Sequence, residues 1–559
     1  MTLHLLDKIG NWNPQLFREI KGRLNTGNMA LASALSLSAQ LLLFMSVSAQ
    51  IPVPPPNGEY TYPIYHRFCS LDNAHPYEKI CVRDAFSNFV INWREWWLEI
   101  FVWLSIFSVL ALLVAGTYLL VSDLDKEERR GTLNFIRLSP QSAKTIFIGK
   151  ILGVPILLYL AAILAVPLHL YAGLAAQIPL NEILCFYIAV AASCALFYSG
   201  AMLFGLTTSW LGGFQPWLAS GMVFVVFGIS ALPFTRTAWD LLKFLSPLAI
   251  LRYQLFLVDR GEFDSLVEDL DKLQWFYSPV GTNIASGLAL SLLVCGTGTY
   301  WLWQGWQRRF PNPSTTVLSK RQSYWLVICC QPIILGFALQ SNPLSGTSLP
   351  TLLILNLLMF FALIAALTSD RQSLYDWARY RKQIVPTSQK LWRRYPLLDL
   401  IWSEKSPAIV AIAINLLSSV IILTPWALLE KPQINEFGGV ICCLNLILIY
   451  AAITQLFLLT KTRNQEIWAA GTVGSALLLP PLILFMLLLT PEKAPILWLS
   501  STFVGFWFSS SSSSSFPASG NTILFSILSQ WSVLVLLNIK LRSQLKLAGQ
   551  SASKALLKA

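Results

Sequence analysis

From Ile183 to Thr235, and again from Gln322 to Ser369, the chain carries no Asp, Glu, Lys or Arg. A helix at the surface of a water-soluble domain needs a polar face, and runs this long without charge leave none. About 20 apolar residues in a helix cross the hydrocarbon core of a bilayer, so each run has room for two crossings. Further charge-free stretches at 283–305, 406–429, 437–460 and 494–539 extend the pattern. Across 559 residues only 12% are charged and 55% are hydrophobic, with a mean hydropathy of +0.57. This excludes a soluble enzyme, a disordered chain and a secreted disulfide scaffold. The fold class is an all-α polytopic membrane protein.

Twelve crossings are expected, near 29–51, 99–121, 147–173, 183–206, 213–233, 283–305, 323–340, 350–368, 407–429, 439–459, 467–489 and 521–540. Ile496 to Phe508 is too short to cross and reads as a re-entrant or interfacial segment, followed by a serine linker at 509–515. With the N-terminus in the cytoplasm, alternation places 29 of the 40 Lys and Arg on the inner side. That is the bias expected of a multi-pass protein with both termini cytoplasmic. The net charge of +12 is therefore read as membrane anchoring, and no nucleic-acid partner is expected. The run 29–51 reads as an uncleaved anchor, because 28 residues precede it.

Seven of the nine cysteines lie in the spans and read as small buried apolar residues. Cys69 and Cys81 share the first outer loop, 52–98, where a disulfide and two free thiols remain equally open. No Cys/His cluster has metal-ligand spacing, and His66, His75 and His169 read as ordinary loop or span residues. Glu99 and Lys150 lie near span ends, where both are expected to snorkel. Trp93, Trp96 and Trp97, like Trp301, Trp303 and Trp306, fit interfacial belts. Trp239 to Leu257 is amphipathic, and the charge-balanced stretch after it reads as a solvated cap.

The spans lack intramembrane carboxylates, which disfavours a proton- or sodium-driven transporter. They also lack a ring of side-chain charge, which disfavours a charge-selective channel. No phosphate-binding loop, nucleophile elbow or zinc helix occurs, so no catalytic residue is assigned. If a substrate moves uphill, the energy enters through a cytoplasmic partner.

The first inner loop reads Glu127-Glu128-Arg129-Arg130-Gly131-Thr132-Leu133-Asn134-Phe135-Ile136-Arg137-Leu138-Ser139-Pro140, with Ile148-Gly149-Lys150-Ile151-Leu152 about ten residues on. The residues imply a charged helix end, a glycine break and a short amphipathic helix, with Leu133, Ile136 and Phe135 on its apolar side and Pro140 as its stop. A stiff element joined to two spans can transmit a push. This run resembles ABC transporter permeases of the type-2 exporter class, whose segment between spans 2 and 3 holds the coupling helix that docks on the nucleotide-binding subunit. The resemblance implies that Glu127, Glu128, Arg129, Arg130, Gly131, Thr132, Leu133 and Phe135 form or support that contact. It implies no cofactor on this chain, since ATP is bound by the partner.

The resemblance extends to an amphipathic helix before span 1. Asn13 can cap it, Pro14 suits its first position, and Leu16, Phe17, Ile20 and Leu24 line one side. Gln15, Arg18, Glu19, Lys21 and Arg23 line the other, as on a surface-lying helix with a basic polar face. The expected organisation is an interfacial helix at 1–28, a six-span unit at 29–305 with its coupling segment at 123–146, a linker at 306–322, a more divergent six-span unit at 323–540 and a basic tail at 541–559. The inner loop of the second unit, 369–406, lacks the Gly-Thr-Leu motif. It offers a helical run at Asp370–Arg379 and a Trp392-Arg393-Arg394 cluster. The expected function is a permease subunit of an ABC exporter, which the resemblance places in a plasma (inner) membrane. Its partners would be an ATP-binding subunit, membrane lipids and, if one chain does not complete the pathway, a second permease copy. A secondary transporter or channel, and a non-transporting scaffold or lipid-handling protein, are the alternatives.

Overall fold

The structure is a computed structural model that describes residues 8–52, 66–72, 80–86, 88–258, 270–340, 348–384, 396–429, 434–460, 465–490, 493–501 and 520–548. Among these residues, ten helices are long and apolar enough to cross a membrane. The chain is an all-α, multi-pass membrane protein. It divides into two compact units, Met1–Thr235 with Asp240–Leu273 and Pro279–Gln307, and Arg236–Trp239 with Gln274–Ser278 and Arg308–Ala559.

The first unit opens with α1 (Pro14–Arg23) and α2 (Thr26–Ser48). Next come α3 (Trp93–Leu110) and α4 (Gly116–Arg129), joined by a π-helical turn at Ala111–Ala115 into one continuous 37-residue helix. A π turn widens the helix and frees a carbonyl. Here the Tyr198 hydroxyl donates to the Leu112 carbonyl at 2.7 Å. Gly116 makes room for that ring, since a Cβ there would lie 2.3 Å from the Tyr198 hydroxyl. After α5 (Thr132–Leu138) come α6 (Ala143–Gly153) and α7 (Ile156–Ala175). The single span expected at 147–173 is thus two helices. Pro155 lacks an N–H and its ring clashes with the Ile151 carbonyl four residues back, so the chain bends there and the Tyr159 hydroxyl takes that carbonyl at 2.9 Å.

α8 (Leu180–Thr207) and α9 (Gln215–Ser230) are joined by a 3-10 turn at Ser209–Phe214. Buried Gln215 closes it by donating to the Gly205 carbonyl at 2.7 Å and the Thr208 hydroxyl at 2.9 Å. α10 (Asp240–Lys243) and α11 (Leu248–Val258) precede α12 (Ile284–Arg309). Asp240, Lys243 and Arg252 are all buried rather than lying on an outer polar face. Arg252 donates to the carbonyls of Ser230 and Leu232, the ones left open at the end of α9. That contact makes the Arg252 charge tolerable inside, while Asp240 and Lys243 neutralise each other at 2.6 Å. The stretch 259–269, part of the expected solvated cap, lies outside the described residues.

The second unit contains α13 (Lys320–Ala338), α14 (Ser348–Leu367), α15 (Arg371–Ile384), α16 (Pro396–Trp402), α17 (Ile409–Leu429), α18 (Ile434–Leu458), α19 (Gln465–Met486), α20 (Pro495–Leu499) and α21 (Gly520–Ala548). Val327, Phe360, Ala411 and Ile447 join α13, α14, α17 and α18 in one core. Helices form at all the positions expected to cross, but α13 and α17 are not among the ten that are long and apolar enough. α13 carries Arg321, Gln322 and Gln331, and the described apolar part of α17 ends at Pro425. The serine linker, the 392–394 cluster and most of 496–508 lie outside the described residues.

Several expected surface roles give way to packing. Trp96 is buried among Phe44, Trp93 and Trp97. Trp306 is also buried and donates to the Ala143 carbonyl at 3.1 Å, pinning α12 to the start of α6. Glu99 does not snorkel, because Arg67 and Trp103 satisfy its carboxylate at 3.2 and 2.7 Å. Among the span cysteines Cys329 is exposed, and Cys185 and Cys330 are half-buried. His169 is buried between the Ser105 and Tyr187 hydroxyls at 2.7 and 2.9 Å.

Candidate functional site: the platform after the second crossing

α4 continues past any crossing length. At 1.5 Å per residue, the 37-residue helix spans about 55 Å, against a hydrocarbon core of about 30 Å. Its last turns carry Asp123 and Glu127, four residues apart and therefore on one face. Arg130 closes the helix, and Gly131 takes φ +70°, a left-handed conformation that a side chain would strain. The chain thereby turns sharply into α5. Ser142 caps α6 by accepting from the Thr145 N–H at 3.1 Å.

α1 packs on α6. Asn13 caps α1 by accepting from the Leu16 N–H at 3.0 Å, and donates to the Thr145 carbonyl of α6 at 2.9 Å. Gly149 and Gly153 give α6 a face without side chains. A Cβ on the first would meet the Leu16 backbone nitrogen at 2.8 Å, and one on the second the Glu19 Cβ at 2.5 Å. The expected solvated polar face of α1 is therefore partly inside, with Gln15 and Glu19 buried.

Lys150 sits between these glycines and has no exposed surface. Its ammonium lies 2.6 Å from Asp123, 2.7 Å from Glu127 and 3.7 Å from Glu19. Arg23 reaches Asp123 at 2.5 Å and Glu19 at 3.3 Å, while Arg18 reaches Glu127 at 2.6 Å. Three carboxylates and three cations thus close a network joining α1, α4 and α6. Burial alone would lower the Lys150 pKa, but Asp123, Glu127 and Glu19 outweigh it and hold the pKa above its ordinary value. The three carboxylates stand close enough to hold a metal ion, their oxygens within 4.8 Å of one another. The Lys150 ammonium takes that place. Lys150 was expected to snorkel. It is buried instead, because three carboxylates replace its water.

The motif residues sort into four groups. Glu127 belongs to the internal network. Glu128 meets the Ser209 hydroxyl, and Arg129 pairs with Asp125 at 3.0 Å beside Gly213 of the α8–α9 turn. Leu133 and Ile136 are buried and seat α5 on the platform. Phe135 does not share their side. It is 76% exposed, and Leu138, outside the expected set, is 85% exposed. Arg130 and Thr132 are exposed around them, with Lys126 and Lys144 nearby in sequence. The Phe135/Leu138 spacing of three residues was the available signal for a second apolar face on α5.

Away from this platform, a disulfide joins Cys69 and Cys81, with Cα atoms 5.2 Å apart. Cys69 precedes and Cys81 ends the short antiparallel pair β1 (Leu71–Asp72) and β2 (Ile80–Cys81).

No protein-family model, curated protein or solved structure matches this chain.

Proposed function

We propose that the chain is the permease subunit of an ABC exporter of the type-2 class. In this reading α13 and α17 complete twelve crossings, arranged as two six-helix units in a plasma membrane with both termini cytoplasmic. The chain forms the substrate pathway. A separate ATP-binding subunit docks on α5 and supplies the work, so no hydrolytic residue is needed here.

One observation carries the reading. The second crossing-length helix runs on beyond the bilayer thickness into a platform clamped by a buried ion network, and that platform presents Phe135 and Leu138 to solvent among basic side chains. Exposed apolar side chains ringed by charge suit a protein contact. A rigid mount suits force transmission, because a push on α5 moves α4 and α6 together.

The test is co-purification of the chain with an ATPase carrying a phosphate loop. Phe135→Asp with Leu138→Asp is expected to abolish both co-purification and ATP-dependent transport while leaving the fold intact. Retention of partner and transport by that variant, or transport driven by an ion gradient without ATP, overturns the reading.

A further inference from the structure

Within the first unit, α2, α3 and α7 line a half-open cavity of about 510 Å³. Its size is that of a small-molecule site. Short side chains, including Ala111 on the π turn and Ala162 on α7, leave the space open. Its polar lining consists of Ser36, Gln40, Ser46 and Ser108, with no ionisable side chain.

Gln40 is the informative member. It is only 9% exposed. Its amide nitrogen donates to the Ser36 hydroxyl at 3.1 Å and to the Leu164 carbonyl at 3.5 Å, and Ser36 in turn donates to the Ala161 carbonyl at 2.8 Å. Two acceptors fix which end of the amide is nitrogen. Gln40 lines the cavity, and no described residue donates to its carbonyl oxygen. Gln40 lies about 21 Å along α2 from Thr26, well inside a crossing helix. An amide oxygen without a donor in an apolar medium is costly, so this one is set to accept from an occupant. Leu37, Leu41 and Leu42 beside it are exposed, at 56%, 59% and 67%. The α2 wall therefore borders lipid, and the occupant enters from the bilayer. A charged occupant would find no counter-charge there.

We infer that this cavity binds a neutral, long-chain molecule bearing a hydroxyl, with the hydroxyl donating to the Gln40 amide oxygen and the chain lying along Ala111 and Ala162. This deepens the permease reading: calling the occupant cargo rests on that reading, while the binding itself does not.

The full chain in nanodiscs of zwitterionic phospholipid, without any ATPase, is labelled with a long-chain alcohol carrying a photoreactive diazirine on its chain. The methyl ether of the same alcohol, which cannot donate, is the control. Label is located by peptide mass spectrometry. The alcohol is expected to label α2 and α7 about fivefold more than the ether, the scale of one net hydrogen bond. Gln40→Leu is expected to equalise the two probes, and Ala162→Leu to reduce both by filling the cavity. Each variant is compared with wild type by gel filtration and thermal unfolding, so that only folded protein is scored. Equal labelling of wild type by both probes means lipid contact only and overturns the assignment, as does a preference that survives Gln40→Leu. Loss of the permease reading would leave these results unchanged, and loss of probe selectivity would leave ATPase docking intact.

Discussion

The Lys150 ammonium lies 2.7 Å from a Glu127 carboxylate oxygen, and this contact ties the helix before the third crossing to the last turn of the extended second one. Because Lys150 is fully buried, removing it alone costs more than breaking a surface pair, since it strands buried carboxylates. Lys150→Met leaves Glu19, Asp123 and Glu127 facing only Arg18 and Arg23. The expected cost is about 3–5 kcal/mol, the range for breaking a buried pair, read as a lower denaturant midpoint in detergent. Adding Glu127→Gln restores the balance of charge and is expected to recover about half of the loss. A double variant no more stable than Lys150→Met would show that the network does not act as a unit.

On α5, neighbouring apolar residues should separate stability from docking. Leu133 is 1% exposed, so Leu133→Ala is expected to destabilise by about 2–5 kcal/mol. Phe135→Ala and Leu138→Ala are expected to change stability by no more than about 0.5 kcal/mol, as exposed positions do, and to weaken partner capture. Thermal unfolding beside a pull-down distinguishes the two. Equal destabilisation by all three would mean that the outer face of α5 is packed rather than free.

How far the sequence could be read follows from the range of each signal. Charge-free runs report on helices directly, so Ile183–Thr235 resolved correctly into α8 and α9 around their short turn. The Asn13 cap and Pro14 fixed the start of α1 for the same local reason. Three-dimensional pairing was not legible. Lys150, Glu19 and Asp123 are far apart in the chain, and each alone resembles an interfacial charge. The one signal that reached across was Gly149 with Gly153, a small-residue spacing that permits close helix approach. Pro155 was a second missed signal, for the break that separates α6 from the third crossing. On α5 the short helix and its buried Leu133/Ile136 side were foreseen, but Phe135 was placed on the wrong side, because Phe135 and Leu138 form a second apolar pair on the same seven residues.

Two buried lysines outside the crossing-length helices should respond to alkali in opposite directions. The folded pKa of Lys150 lies above the ordinary 10.5. Its contribution is complete below that pH and is lost as pH rises through the folded value. Lys320, at the start of α13, is 3% exposed and donates to the Leu400 carbonyl at 2.7 Å and the Ser406 hydroxyl at 2.5 Å. Burial pushes its pKa down from 10.5 to about 8, against the opposing pull of Asp399 and Glu404. The unfolded chain then binds more protons than the folded one between about 8 and 10.5, so this group makes stability rise with pH across that window. Wild type minus Lys320→Met is expected to show the rise, and wild type minus Lys150→Met a fall beginning above 10.5. A flat difference for either lysine across its window would refute that assignment.

The Cys69–Cys81 disulfide links the fold to membrane sidedness. Such a bond persists in an oxidising compartment and is rare where thiols are kept reduced. The loop that carries it lies between α2 and α3, and α5 follows the opposite end of the continuous α3–α4 helix. One crossing therefore separates the disulfide from the proposed docking face. In intact cells, a membrane-impermeant thiol reagent is expected to label the pair only after reduction from outside. A single cysteine introduced at exposed Asn134 on α5 is expected to stay unlabelled until the membrane is permeabilised. The comparison is made in a background with Cys329 replaced, since that exposed cysteine would otherwise contribute. Labelling of both positions from the same side would place the disulfide and α5 on one face, and no cytoplasmic ATPase could then grip α5 while the disulfide remained outside.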